Sequence, residues 1–177
     1  GNVGALVDSH KGQSLLIETA KNLEKSHPEI HFIFLGRGED EQRFKEQAKG
    51  LKNITFEGFV DNVNDYISCF DLFVFPSRHE GLGSILFDVM QLEVPIIATD
   101  VGGIPDIIEN GVNGILVPPA DAEVIVTHLL ALYTDNEARA RLSAAAKKKV
   151  NDYSPENMAA AYMQLYPVTK ETRCSDC

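Results

Sequence analysis

The sequence predicts an α/β fold, a parallel sheet with helices on both faces, and three observations predict it. Short β-rich apolar runs alternate with stretches of helical spacing, and glycines stand where those runs end. The composition, 44% hydrophobic and 24% charged in 177 residues, supplies one sizeable core. Strands separated by helix-length segments pair in parallel and bury both faces under their crossovers.

The predicted strands are NVGALV at 2–7, HFIFLG at 31–36, NITFEG at 53–58, DLFVFPS at 71–77, VPIIAT at 94–99 and GILVP at 114–118. The first crossover is the clearest helix. Leu15, Leu16, Thr19, Ala20 and Leu23 make one apolar stripe, opening after Lys11-Gly12. Beyond Asp121 no strand pattern recurs, and three helices are expected up to Tyr166. The last opens at Ser154-Pro155-Glu156, where serine caps and proline fits the first turn. No repeat or low-complexity linker divides the chain, so residues 1–166 read as one domain and 167–177 as a polar tail. Cys174 and Cys177 in that tail have CxxC spacing but no second ligand pair, so they read as a frayed end. Cys69, after an apolar run, reads as core.

The formal charge of -10 argues against nucleic acid and anionic lipid as partners. Three cysteines argue against a disulfide framework and suit a reducing compartment. The opening GNVGALVDSHKG lacks an initiator methionine and a signal-peptide start, so the chain reads as cut from a longer protein.

In an open parallel sheet, ligands bind where strand carboxyl ends lead into helix N-termini. The informative residues fall there: Gly36-Arg37-Gly38 after the second strand, Gly58-Phe59-Val60-Asp61 after the third, Pro76 to Gly83 after the fourth and Val101-Gly102-Gly103 after the fifth. The run FPSRHEGLGSILFDVM at 75–90 sets two acids, Glu80 and Asp88, around a glycine loop feeding an apolar helix. Unpaired amides and the helix dipole at such an entry attract anions. Acids beside them suit a ligand that carries hydroxyls as well as phosphate, such as a nucleotide sugar. The segment SILFDVMQL is apolar nearly all round, which marks a buried helix, so Asp88 needs a partner: a structural cation or helix end, or a ligand's vicinal hydroxyls.

Several polar residues read as bland. His27, His31 and His128 are isolated, whereas His79 adjoins Glu80. Asp106 and Glu109 complement a short helix dipole, and Lys147 to Lys149 form a solvated helix end.

The run at 75–90, followed by PIIATDVGGIPDIIENGVNGILVPP, resembles the C-terminal half of the group-one glycosyltransferases, family four. Those are retaining enzymes of two Rossmann-like domains, the GT-B arrangement. The likeness runs from GALVDSHKG to the terminal helices. It implies that Glu80 faces the donor sugar and, with Lys11, is catalytic, and that Lys11 neutralises the diphosphate. It implies further that the amides of Gly81, Leu82, Gly83, Ser84 and Ile85 contact diphosphate and sugar, that Asp88 holds the ribose, and that Phe59 and Val60 flank the base. Gly36 and Gly38 would let backbone approach the ligand. No metal or cofactor is implied, only a UDP- or GDP-linked donor.

Two positions depart from the family. Asp88 stands where glutamate is usual, shortening the arm by roughly 1.5 Å. Ala5 stands where an arginine usually assists the lysine, and a charge-assisted phosphate contact contributes about 1.5–3 kcal/mol. His10 and Arg37 are the candidate substitutes, with an exposed turn as the alternative for each. The resemblance implies a cytoplasmic protein, peripheral to membranes at most, whose missing N-terminal domain holds a glycan or lipid-linked acceptor for polysaccharide, lipopolysaccharide or glycoconjugate synthesis. By itself the domain would bind donor without turnover. Two alternatives stand beside it: a catalytically silent nucleotide-binding or docking module, and a nucleotide-sugar epimerase.

Overall fold

A computed structural model describes residues 1–165. Tyr166 and the whole predicted tail at 167–177, with Cys174 and Cys177, lie outside the described residues. Strands β1 Asn2–Val3, β2 Phe32–Leu35 and β3 Ile54–Gly58 pair in parallel in the order β1-β2-β3. Strands β4 Phe73–Phe75, β5 Ile96–Thr99 and β6 Ile115–Val117 pair likewise in the order β4-β5-β6. The two halves meet at β1 and β4, where the Val74 amide donates to the Gly1 carbonyl at 3.0 Å and the Asn2 side-chain amide to the Val74 carbonyl at 2.9 Å. The order of the halves reverses at this junction, which is where an open sheet leaves a crevice for ligand.

The strand side chains divide by alternation between two cores. Phe32, Phe34, Val74, Ile97 and Val117 face the cluster built from α2 (Gln13–Leu23), α3 (Glu41–Gln47) and α7 (Ala122–Thr134). Leu35, Phe73, Phe75, Ile96 and Ala98 face the cluster built from α4 (Val63–Ser68), α5 (Ile85–Gln91), α6 (Ile104–Ile107) and α8 (Asn136–Val150). Adjacent residues thus go to opposite faces, as a sheet covered on both sides requires. Each fully buried side chain of this size contributes roughly 1.5–3 kcal/mol.

The terminal helices are capped by side chains, at Ser154 as expected. Asp121 caps α7 through the Val124 amide at 3.1 Å, and Asp135 caps α8 through the Ala138 amide at 2.8 Å. Helix α9 (Pro155–Leu165) opens on Ser154, whose hydroxyl accepts from the Asn157 amide at 3.2 Å. None of the described helices is long and apolar enough to cross a membrane.

Three expectations are corrected. The first strand is not the full run 2–7: it ends at Val3, after which the chain turns at Ala5–Val7 into the one-turn helix α1 (Asp8–Lys11). Leu6 remains core because its amide and carbonyl are held by Arg37 and Asp40 outside any ladder. Cys69 is exposed, since it caps the end of α4 rather than filling the core. Asp88 is also exposed; only Leu86, Val89 and Met90 of α5 are buried, so that helix has one wet face.

Candidate functional site

Two loops build the site. One is the α1 turn that carries Lys11. The other runs from Pro76 to Ser84, between β4 and α5, and carries Glu80. Gly12 ends α1 in the left-handed region at φ +63°, and a Cβ there would lie 2.2 Å from the Pro76 carbonyl oxygen, so only glycine lets the loops touch. The contact brings Lys11 Nζ to 2.6 Å from Glu80 Oε2. The Ser77 hydroxyl donates to that same oxygen at 3.2 Å, and Lys11 also lies 5.5 Å above the Phe75 ring. Oε1 of Glu80 has no hydrogen-bond partner among the described residues. The pair lies in a cleft of about 510 Å³ lined by Ala5, Val7, His10, Lys11, His79, Glu80 and Gly81.

The glycine loop stays open for hydrogen bonding. Gly103 donates to the Gly81 carbonyl at 2.9 Å, while the Leu86 and Phe87 amides close tight turns on Gly83 and Ser84 at 2.9 and 3.0 Å. The amides of Gly81, Leu82, Gly83, Ser84 and Ile85 donate to no acceptor among the described residues. A run of unpaired amides beside an ammonium is a chemically apt anion site. The unpartnered Oε1 of Glu80 adds an acceptor for a hydroxyl.

The remaining expected residues take separate places. Phe59 is 69% exposed just after β3, and Val60 beside it is half-buried against the second core. Asp88 shares the wet face of α5 with Ser84, one turn earlier and about 6 Å along the axis. Neither Asp88 nor Phe59 lines the cleft around Lys11. Gly36 and Gly38 owe their identity to a neighbouring loop: a Cβ would fall 2.0 Å from the Gly4 oxygen and 2.3 Å from the Leu6 oxygen. The close backbone approach they permit is therefore within the chain. Of the two candidates to replace an arginine at Ala5, His10 lines the cleft, whereas the Arg37 side chain sits over Gly58.

Several supporting residues gave no signal in the sequence. Buried Thr99 donates its hydroxyl to the Ser77 carbonyl at 2.6 Å and fixes the Glu80 loop from below. Buried Gln13 donates to the Ala5 carbonyl at 2.8 Å. Asp8 accepts from the Ser14 amide at 2.9 Å, and its own amide donates to Asp40 at 2.7 Å. Partial burial opposes the charge on Asp8, but bonds from Ser14 and the nearby Arg78 and Arg43 outweigh it and hold the carboxyl below its ordinary range. Thr99 and Ser77, like Asp8 and Asp40, are distant in sequence and become partners only through the fold.

A family model described as glycosyl transferases group 1 matches residues 2–149. The alpha-D-kanosaminyltransferase of Streptomyces kanamyceticus is 31% identical over 171 residues, covering 93% of this chain and 44% of that enzyme. The chain spans under half the length of the curated relatives it matches. The C-terminal domain of LpcC, a glycosyl transferase group 1 family protein from Francisella tularensis, superposes with a TM-score of 0.77 at 26% identity, covering 85% of this chain and 83% of that one. TarM of S. aureus, solved as a point mutant in complex with fondaparinux, alpha-GlcNAc-glycerol and UDP, gives a TM-score of 0.86 at 24% identity over 93% of this chain and 34% of its own. The fold is thus the expected Rossmann-like C-terminal half of a GT-B architecture. By match and by fold, the chain belongs to the glycosyl transferases group 1 family.

Proposed function

We propose that this domain binds the nucleotide-sugar donor of a retaining glycosyltransferase. One observation carries the reading: the Lys11–Glu80 pair, at 2.6 Å, adjoins five amides that have no acceptor among the described residues. The ammonium and amides take the diphosphate, Glu80 Oε1 takes a sugar hydroxyl, Asp88 takes the ribose, and Phe59 with Val60 takes the base. UDP in TarM, a protein of the same fold, supports a nucleoside diphosphate as the ligand class. In the full-length cytoplasmic enzyme, the nucleoside diphosphate leaves while the sugar passes with retention to a glycan or lipid-linked acceptor held by a preceding domain. Lys11 and the amides stabilise the charge that grows on the leaving group. Donor binding needs no metal or cofactor in this scheme.

The test is a thermal-shift panel of UDP, GDP, ADP and their sugars at millimolar concentration. One nucleotide series is expected to raise the melting temperature, because a ligand that binds only the folded state stabilises it. Asp88→Asn should weaken that nucleotide about fivefold or more, at ~1 kcal/mol per hydrogen bond, while Asp88→Glu retains it. No shift with any nucleotide would sink the donor site, and equal affinity in all three proteins would remove Asp88 from it. Ala5, which lines the cleft where an arginine is usual, favours a second reading as a silent nucleotide-binding module. Nucleotide binding without nucleoside diphosphate release by the full-length protein and acceptor would establish that second reading.

A further inference from the structure

We infer that Arg78 is a positioning residue whose guanidinium latches the Lys11 loop to the Glu80 loop and so keeps the ammonium on the carboxylate. Arg78 grips the Lys11 loop on both sides of the lysine. Before it, the Arg78 amide donates to the His10 carbonyl at 2.7 Å, seconded by the His79 amide at 3.1 Å. After it, the aliphatic stem of Arg78 passes by Gly12 at Cγ, and the guanidinium donates to the Ser14 hydroxyl at 3.3 Å, with Asp8 Oδ2 at 3.7 Å. The backbone bonds alone fix only the upstream side. The turn from Lys11 into α2 is held from this loop by the arginine side chain and by the Gly12–Pro76 contact.

Charge balance favours the same role. Asp8 and Asp40 face Arg43 and Arg78, with Arg43 at 3.5 Å from Asp8 and 2.9 Å from Asp40. Arg43 is thereby engaged with both acids, so it cannot take over the span to Ser14. The side chains of Arg78 and Asp8 are 31% and 15% exposed, which shields their pairing from full solvent screening. A planar fork can serve a hydroxyl and a carboxylate together, whereas a lysine ammonium at this position serves one. None of these contacts uses a ligand, so the latch exists before any donor arrives.

The inference rests on Lys11 and Glu80 forming the ligand site, and its test is read without a ligand. Acetylation of the 177-residue chain by limiting acetic anhydride, followed by peptide mass spectrometry, gives the rate at Lys11 relative to Lys49. Lys49, in the turn just past α3, has a side chain 76% exposed and serves as internal reference. In Arg78→Met the Lys11 rate is expected to rise about two- to fivefold against Lys49, with Arg78→Lys in between, as an ion pair of this exposure implies. Asp8→Asn removes the charge pairing of the latch from the other loop while the Ser14 bond remains, and should give a smaller rise of the same sign, even where Arg78→Met does not fold. An unchanged Lys11 ratio in a folded variant overturns the latch. UDP affinity measured on the same proteins separates the two claims: wild-type failure to bind nucleotide sinks the donor site, and an unmoved ratio with nucleotide still bound sinks Arg78's role.

Discussion

Lys11→Met is expected to weaken the bound nucleoside diphosphate by about 10- to 100-fold, the equivalent of one charge-assisted phosphate contact at about 1.5–3 kcal/mol. Lys11 is the ammonium that lines the cleft, and Ala5 offers no second one. The domain should survive the change. Lys11 is partly exposed, and Glu80 keeps its bond from Ser77 at 3.2 Å, so the melting temperature of the free protein should move little. If the protein is the proposed transferase, the loss in its kcat should be larger, on the order of 10²–10³-fold, because the leaving diphosphate carries more charge in the transition state than in the ground state. Glu80→Gln should separate the two roles with opposite signs. Removing the carboxylate charge frees Lys11 for phosphate, so nucleotide affinity holds or rises while turnover falls. Calorimetric titration of both variants checks this, and an unchanged affinity in Lys11→Met would place the diphosphate elsewhere.

How much of this was legible in the sequence depends on the range of the forces involved. Strandedness of the runs holding FIF and FVF is local and could be read from their apolar, β-rich composition, whereas the assignment of Phe34 and Phe73 to cores on opposite faces comes from the structure. The helix caps at Asp121, Asp135 and Ser154 are equally local, and the Ser-Pro-Glu opening of α9 could be read directly. Strand ends were not, because they are set by where a neighbour stops offering partners: Gly4 still donates to Leu35, but no ladder continues past Val3. Asp88 misled for a related reason. Ile85 and Phe87 are apolar yet only half-buried, so a one-sided helix looked enclosed. The loops around Glu80 were legible as a place and not as a mechanism of assembly. Thr99, Gln13 and the Asp8–Arg78 contact join positions 8 to 70 residues apart, and nothing in the spacing of either partner announces the other.

Gly102→Ala is expected to be the most damaging single methyl in the site. Gly102 sits at φ +55°, where an L side chain costs roughly 1–2 kcal/mol. Its Cβ would also lie 1.8 Å from the Glu80 carbonyl oxygen, a backbone atom that no rotamer change can move aside. Gly103 repeats the constraint, with a Cβ position 2.2 Å from the Gly81 oxygen and its amide bonded there at 2.9 Å. The Gly102-Gly103 corner is therefore the floor under Glu80 and Gly81, and relief of the clash must push that loop outward. Adding about 1–3 kcal/mol for overpacking brings the total to roughly 2–5 kcal/mol, or about 5–15 °C in melting temperature for a domain of this size. Gly50→Ala is the matched control. Gly50 has φ +89° but no atom within 4 Å of its Cβ position, so it bears the conformational cost alone. The excess loss in Gly102→Ala measures the contact with Glu80, and it should be accompanied by faster acetylation of Lys11 as the carboxylate withdraws. Equal melting temperatures in the two variants would mean that the corner yields freely and that the position of Glu80 is set by Ser77 and Thr99 instead.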